Sequence, residues 1–168
     1  MKITYNDFNI DDLTKIILSW SWQEILFGLD NGLITDIDAT EYAKTILSED
    51  VPGFDHVMDL SIAESNEDVQ PMIECLVDLE NSQSEEMIKR KWLYAILLHI
   101  YNKRDQYADP LELVEIIYAD FDYPDEIEGF VRYMPISDLG YGVNGTAEEY
   151  LYDNWNKYLK SNEDIIGK

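Results

Sequence analysis

The hydrophobic residues of this chain recur every three or four positions over most of its length, which is the spacing of one face of an α-helix. Alternation of apolar and polar residues, the pattern of a half-buried strand, is scarce. The clearest periodic segments lie near residues 7–20, 22–29, 36–47, 84–103 and 147–159, with shorter ones near 56–64 and 67–79. The pattern therefore predicts an all-α protein.

Residues typical of helix starts support these boundaries. The segments Ser21–Glu24 and Thr146–Glu149 have the spacing of a capping box, in which two side chains satisfy free N–H groups at the helix start. Asp109-Pro110 predicts another start, because aspartate is a good N-cap and proline suits the first turn. A further helix is predicted over about 123–134.

The segment 84–103 is apolar around most of its circumference, which is typical of a buried central helix. Residues 136–145 are predicted to form an irregular loop, with a small hairpin at 135–145 as an alternative, and 161–168 a frayed tail. We expect a single compact domain of about seven to eight helices around the central helix.

Charge adds a second feature to this picture. The chain has 35 Asp and Glu against 12 Lys and Arg, a net charge of −23, yet 46% of its residues are hydrophobic. A disordered acidic segment would be poor in apolar residues, so the charge is expected on the surface of a folded protein. Direct binding to nucleic acid or to anionic membranes is not expected, since a basic patch is absent.

The central helix is the one positive part of the sequence. Residues 81–108 hold three acids and five bases, whereas 1–80 and 109–168 have net charges of −15 and −10. We expect the cations of this helix to hold neighbouring acidic helices in place. Each such surface pair contributes only about 0–1 kcal/mol, so apolar packing must supply most of the stability.

Several features predict a cytoplasmic protein. The first residues lack the basic and apolar regions of a secretory signal, and the longest apolar stretch, 93–100, is far shorter than a membrane span. Cys75 is the single cysteine, so an internal disulfide cannot form.

Two motifs match cofactor or metal sites in letters only. Gly140-x-Gly142-x-x-Gly145 has the glycine spacing of a dinucleotide-binding loop, but a buried strand does not precede it. Acidic runs beginning at Asp30 and Asp120 lack ligands or the glycine that a calcium loop requires. We therefore expect no cofactor and no bound metal.

The sequence singles out no catalytic residue, and whether the protein is an enzyme stays open, with a non-enzyme favoured. His99 lies in the apolar central helix and is expected to be a packing residue, and neither it nor His56 has a partner at metal-ligand spacing. Cys75 lies beside acids, which disfavour the thiolate.

Tyrosines interleaved with aspartates in the proposed turns suggest a protein-binding surface. An aromatic ring can supply buried anchor area, and acids can steer a basic, partly apolar partner. The alternative is a solvated acidic rim around the helical core. The candidate partner-binding residues are Tyr107, Asp109, Asp120, Asp122, Tyr123, Asp125, Tyr133, Asp138 and Tyr141.

The segment Asp109–Pro124, with Phe130–Pro135, resembles the signature of a bacterial family of uncharacterised domains, which are small, acidic and soluble. Lys91–Tyr94 and Trp22–Tyr42 are similar to it too, so the resemblance covers most of the chain. It implies no catalytic residues. In overall character the chain also resembles immunity proteins of bacterial toxin systems.

These observations predict a stoichiometric binding protein, an immunity-like inhibitor of a basic partner such as a nuclease toxin. A variant of this hypothesis is mimicry of nucleic acid by surface carboxylates. The alternatives are an enzyme or small-ligand protein with a carboxylate and tyrosine site, which a buried pocket would favour, and an acidic scaffold or subunit without catalytic role.

Overall fold

The fold is all-α, as predicted, in a computed structural model that describes residues 13, 17, 19–65, 67–135 and 145–166. The α-helices of this part of the chain are α1 (Trp22–Asp30), α2 (Asp36–Ile46), α3 (Phe54–Ser61), α4 (Gln70–Val77), α5 (Glu85–Asn102), α6 (Pro110–Asp120) and α7 (Ala147–Ser161). Short 3₁₀ helices cover Arg104–Gln106, Asp125–Phe130 and Glu163–Ile166. No strand occurs among the described residues.

Helix α5 is the centre of the fold, and its predicted start is confirmed. The Ser84 hydroxyl accepts a hydrogen bond from the Met87 N–H and caps the helix. Trp92, Tyr94 and His99 are buried, and α1, α6, α7 and the last 3₁₀ helix pack against α5. Apolar side chains on most of its circumference therefore belong to one core.

Buried polar contacts attach α1 to α5. The Glu24 carboxylate accepts hydrogen bonds from the Ser21 N–H and from Lys91 Nζ, both at 2.7 Å, and its side chain is only 6% exposed. Trp92 Nε1 donates to the Glu24 carbonyl oxygen at 2.9 Å. The predicted capping box of Ser21 and Glu24 is confirmed, and its glutamate also pairs with a lysine of the central helix.

The segment 123–134 differs from the helix predicted for it. Asp122 and Tyr123 have positive φ angles, and a 3₁₀ helix follows over Asp125–Phe130 only. The α conformation is disfavoured at Tyr123 because proline follows it. The 3₁₀ helix packs on α7, where Phe130 stacks on Trp155 with ring centroids 5.7 Å apart.

Some predictions fall on residues that are not described. Most of the helix predicted near 7–20 and the loop or hairpin near 136–144 lie outside the described residues. The C-terminal tail was predicted to be frayed, but it forms a 3₁₀ helix that ends at Ile166. Asn162 is buried, its Nδ2 donates to the Tyr158 carbonyl, and its Oδ1 accepts a hydrogen bond from Arg90.

Candidate functional site

Three tyrosines form a cluster at the C-terminal end of α6, which we call the tyrosine cluster: Tyr118, Tyr123 and Tyr133. Tyr118 is 3% exposed, whereas Tyr123 and Tyr133 are each 58% exposed. The Tyr118 ring centroid lies 5.2 Å from that of Tyr123, edge to face, and 6.1 Å from that of Tyr133. Two exposed aromatic rings thus pack against one buried ring.

A strained helix end presents Tyr123. Its N–H donates to the Tyr118 carbonyl at 2.8 Å, and the Asp122 N–H donates to the Ala119 carbonyl at 3.4 Å, which is the Schellman pattern. The left-handed position of that motif is usually glycine, but here it is Asp122, with φ 61°. Tyr123 is left-handed as well, with φ 58°, which is uncommon for a bulky residue. Strain is therefore concentrated where the exposed ring is presented.

This strain predicts that glycine is more favourable than alanine at residue 122. We expect Asp122→Gly to be more stable than Asp122→Ala by about 1 kcal/mol, because alanine meets the left-handed penalty that glycine avoids. Both variants lose the same 3.8 Å contact with Lys89, so that loss cancels. Urea unfolding of the two variants measures the difference, and an alanine variant at least as stable as the glycine variant would contradict the assigned backbone.

Carboxylates surround the buried ring of the cluster. The Tyr118 hydroxyl donates to Glu128 Oε1 at 3.0 Å. Burial, together with this hydrogen bond to a carboxylate, raises the pKa of Tyr118 to about 12, so its hydroxyl remains a donor at neutral pH. Asp125 acts on the same hydroxyl electrostatically and has no hydrogen bond or ion pair with any described residue. Negative charge is thus available beside exposed aromatic surface.

Arg132 fixes the chain between the 3₁₀ helix and Tyr133. Its Nε and Nη2 donate to the two carboxylate oxygens of Glu115 at 2.7 and 3.2 Å, and its Nη1 donates to Asp109 at 2.8 Å. Asp109 also caps α6 by accepting from the Glu112 N–H. Hydrogen bonds from Arg132 lower the pKa of Asp109, and the two carboxylates raise the pKa of Arg132.

The ion-pair network predicts a pH-dependent contribution to stability. Because the pKa of Asp109 is lowered in the folded state, its stabilisation is present above the unfolded value, about 4, and is lost as pH falls through the folded value. We expect Arg132→Gln to lower the free energy of unfolding by about 1 kcal/mol at pH 7, since the network is partly exposed, and by less below about pH 4.

Urea unfolding of wild type and variant at several pH values tests this expectation. Lys44→Gln is the matched control, because among the described residues Lys44 pairs only with Glu41, on an exposed helical turn. We expect this variant to change stability by less than about 0.5 kcal/mol. A loss in Arg132→Gln that stays constant from neutral to acidic pH would exclude Asp109 as the titrating partner.

The structure brings only some of the predicted partner-binding residues together. Tyr123, Tyr133 and Asp125 belong to or adjoin the tyrosine cluster, and Asp109 is linked to its edge through Arg132. Tyr107 lies before the start of α6, a helix about 16 Å long, and is half-buried.

Two further predicted residues are placed differently. Asp120 and Asp122 line a groove that also contains Lys89, on the side of α5. Burial raises the pKa of Asp120. Asp138 and Tyr141 lie outside the described residues.

The sequence missed the residues that support the cluster. Tyr118 is a buried residue of α6, yet the two exposed rings also pack against it. Glu115 and Glu128 have no signal that separates them from the other acids of the chain. The positive φ at Tyr123 has no signal in the sequence, since the proline that follows it favours extended backbone with negative φ.

The central cations have the role predicted for them. Lys91 pairs with Glu24 at 2.7 Å, Arg90 lies 3.5 Å from Glu126, and Lys89 lies 3.8 Å from Asp122. These pairs join α5 to α1 and to the segment around the tyrosine cluster. They also use three of the 12 Lys and Arg residues. Because the chain has 35 Asp and Glu, most of its carboxylates are left without a cation.

A surface groove of about 620 Å³ is lined by Phe121 and Pro124, which flank the strained turn at Asp122 and Tyr123. Leu93 and Phe121 contribute apolar surface, and Lys89, Arg90 and three glutamates contribute charge. Its two cations are already paired with carboxylates. Among the described residues, no group of three or more His, Cys, Asp or Glu could hold a metal ion.

None of the described helices has both the length and the apolar character that crossing a membrane requires. A family model described as "Uncharacterized protein conserved in bacteria (DUF2247)" matches residues 10–163. No curated protein and no solved structure gives a significant match to the chain.

Proposed function

We propose for this chain, which belongs to the bacterial family DUF2247, a function as a stoichiometric inhibitor that binds a basic protein such as a nuclease toxin, in the manner of an immunity protein. The observation that carries the proposal is the tyrosine cluster. Tyr123 and Tyr133, each 58% exposed, pack against the buried ring of Tyr118 and lie near carboxylates. The chain as a whole has a net charge of −23. This combination matches the anchors and the charge that protein interfaces use.

The inhibitor would act in two steps. The negative field first attracts the basic partner, and such steering can raise association rates to about 10⁸–10⁹ M⁻¹s⁻¹ at low salt. The rings of Tyr123 and Tyr133 are then buried in the interface. Their contacts with Tyr118 reduce the entropy lost on binding, because a side chain that is already packed has less freedom to lose.

Inhibition follows if the partner's own basic surface is the one that binds its substrate. A nuclease holds phosphates with lysines and arginines, so an acidic protein on that surface excludes the nucleic acid. The carboxylates around the cluster would then stand where phosphates otherwise bind. Competition with DNA or RNA for the partner is the expected sign of this arrangement.

The dependence of association on salt tests the proposal. The partner is isolated with the tagged protein at low salt, and the association rate of the purified pair is measured by stopped flow from about 0.01 M to about 1 M salt, over which the Debye length falls from about 30 Å to about 3 Å. We expect a steep fall in the rate, a 1:1 complex, and loss of the partner's activity. A rate independent of salt, or a partner fully active in the complex, would refute the proposal.

A further inference from the structure

The tyrosine cluster is well suited to one particular chemical group. The side chains of Tyr123 and Tyr133 are among the exposed large hydrophobic ones, each residue at 58%, and Glu128 has a second carboxylate oxygen without a donor among the described residues. Asp125 is likewise without a described partner. Aromatic faces attract cations, and an adjacent carboxylate supplies the hydrogen-bond acceptor that a bound guanidinium requires.

Two cations of the chain lie over aromatic rings elsewhere in the fold. Within the described residues, Lys91 lies over the Trp20 ring at 5.1 Å and Arg104 over the Tyr101 ring at 4.6 Å. Arg132, the nearest arginine in sequence, is held by Glu115 and Asp109 instead. The cluster therefore offers π faces and negative charge that are not neutralised from within the described part of the molecule.

We propose that the tyrosine cluster binds an arginine side chain of the partner, with the guanidinium against the rings of Tyr123 and Tyr133 and within reach of Asp125 and Glu128. Arginine fits better than lysine because its planar group can stack on a ring and donate to a carboxylate at the same time. This inference rests on the proposed function, since it names the group by which the basic partner is anchored.

A defined peptide tests the inference without the natural partner. Isotope-labelled full-length protein is titrated at low salt with N-acetyl hexa-arginine amide, and the NMR signals of the tyrosine rings and the backbone amides are followed. We expect saturable shifts that are largest at Tyr118, Tyr123 and Tyr133. Hexa-lysine should bind more weakly at these residues, and hexa-glutamate should not bind.

Matched variants separate the rings from the general negative charge. The double variant Tyr123→Leu, Tyr133→Leu should bind hexa-arginine about fivefold to tenfold more weakly, whereas Tyr123→Phe, Tyr133→Phe keeps the π faces and should stay within about twofold of wild type. If the double variant folds poorly, Tyr133→Leu alone replaces it in the binding measurement, because the backbone at Tyr133 is unstrained.

The carboxylates have a charge-matched control. Asp125→Asn, Glu128→Gln should weaken binding more than Glu49→Gln, Asp50→Asn, which removes two charges from an exposed turn remote from the cluster in sequence. Equal effects of the two pairs, or unchanged binding in the leucine variants, would overturn the inference.

The results for the partner distinguish this inference from the proposed function. A partner that is inhibited but whose affinity is unchanged by the leucine variants overturns the arginine site and leaves the inhibitor function standing. Peptide binding at the cluster, without a basic protein that the chain inhibits, supports the arginine site and refutes the inhibitor function.

Discussion

Replacing Trp92 by alanine is expected to lower the free energy of unfolding by about 4 kcal/mol. Trp92 is fully buried, and its ring centroid lies 4.3 Å from that of Trp20. Its Nε1 also donates to the Glu24 carbonyl. The variant therefore loses apolar contacts and a hydrogen bond and leaves a cavity in the core.

The surroundings of Trp92 limit how far that cavity can collapse. Gly28 approaches the indole so closely that a β-carbon there would lie 2.5 Å from Trp92 Cζ2. The backbone of α1 is thus held against the ring, and its helical hydrogen bonds resist movement into the space. Urea unfolding measures the loss, with Met87→Ala on the same helix, where the side chain is 65% exposed, as a control expected within about 0.5 kcal/mol of wild type. Similar stability of the two variants would contradict the central position of α5.

Replacing Lys91 by methionine is expected to cost about 3–5 kcal/mol, because it leaves the Glu24 carboxylate buried without its cation. The two side chains are 17% and 6% exposed and 2.7 Å apart. The lysine also donates to the Ser19 carbonyl and lies over the Trp20 ring. Loss of one charge is more costly than loss of both, since the remaining charge has no compensation.

A double-mutant cycle isolates this effect. Glu24→Gln combined with Lys91→Met should recover most of the stability lost in Lys91→Met, because the amide keeps the hydrogen bond to the Ser21 N–H without a buried charge. Lys89→Met, at a paired but more exposed lysine of the same helix, should cost less than about 1 kcal/mol. If Lys91→Met behaved like Lys89→Met, the Glu24 carboxylate would have to be hydrated rather than buried.

The helices could be predicted because their signals are local. Four helix starts each depend on residues within one turn. They are the start of α5 at Ser84, the start of α6 at Asp109-Pro110, and the capping boxes at Ser21 and Thr146. The structure confirms all four. Apolar periodicity likewise identified α5 as the central helix.

Contacts between distant segments could not be predicted, because periodicity says nothing about which helices meet. Glu80 shows this clearly: its carboxylate accepts hydrogen bonds from the N–H groups of Trp22 and Gln23, 58 and 57 residues away, and caps α1 from outside. In the sequence it is one acid among 35. The pairing of Glu24 with Lys91 was hidden for the same reason.

Some members of the tyrosine cluster and its neighbour Asp125 were among the residues selected from the sequence. Tyr123, Tyr133 and Asp125 were chosen because they lie in turns, and the structure places them at one cluster. The cluster itself depends on the buried ring of Tyr118 and on two consecutive left-handed residues. Neither feature follows from composition, since aspartate and tyrosine rarely adopt that conformation without tertiary contacts that hold it.

Capture of the partner, quantified in parallel for wild type and two variants, tests the central claim most directly. Tagged wild type, the Tyr123→Leu, Tyr133→Leu variant and the Glu49→Gln, Asp50→Asn control are incubated with native lysate at low salt, and retained proteins are quantified by mass spectrometry across a salt gradient. The account predicts one basic protein at near-equal stoichiometry on wild type and control, and its loss from the leucine variant. A set of unrelated basic proteins, retained equally by all three and lost at modest salt, would contradict it.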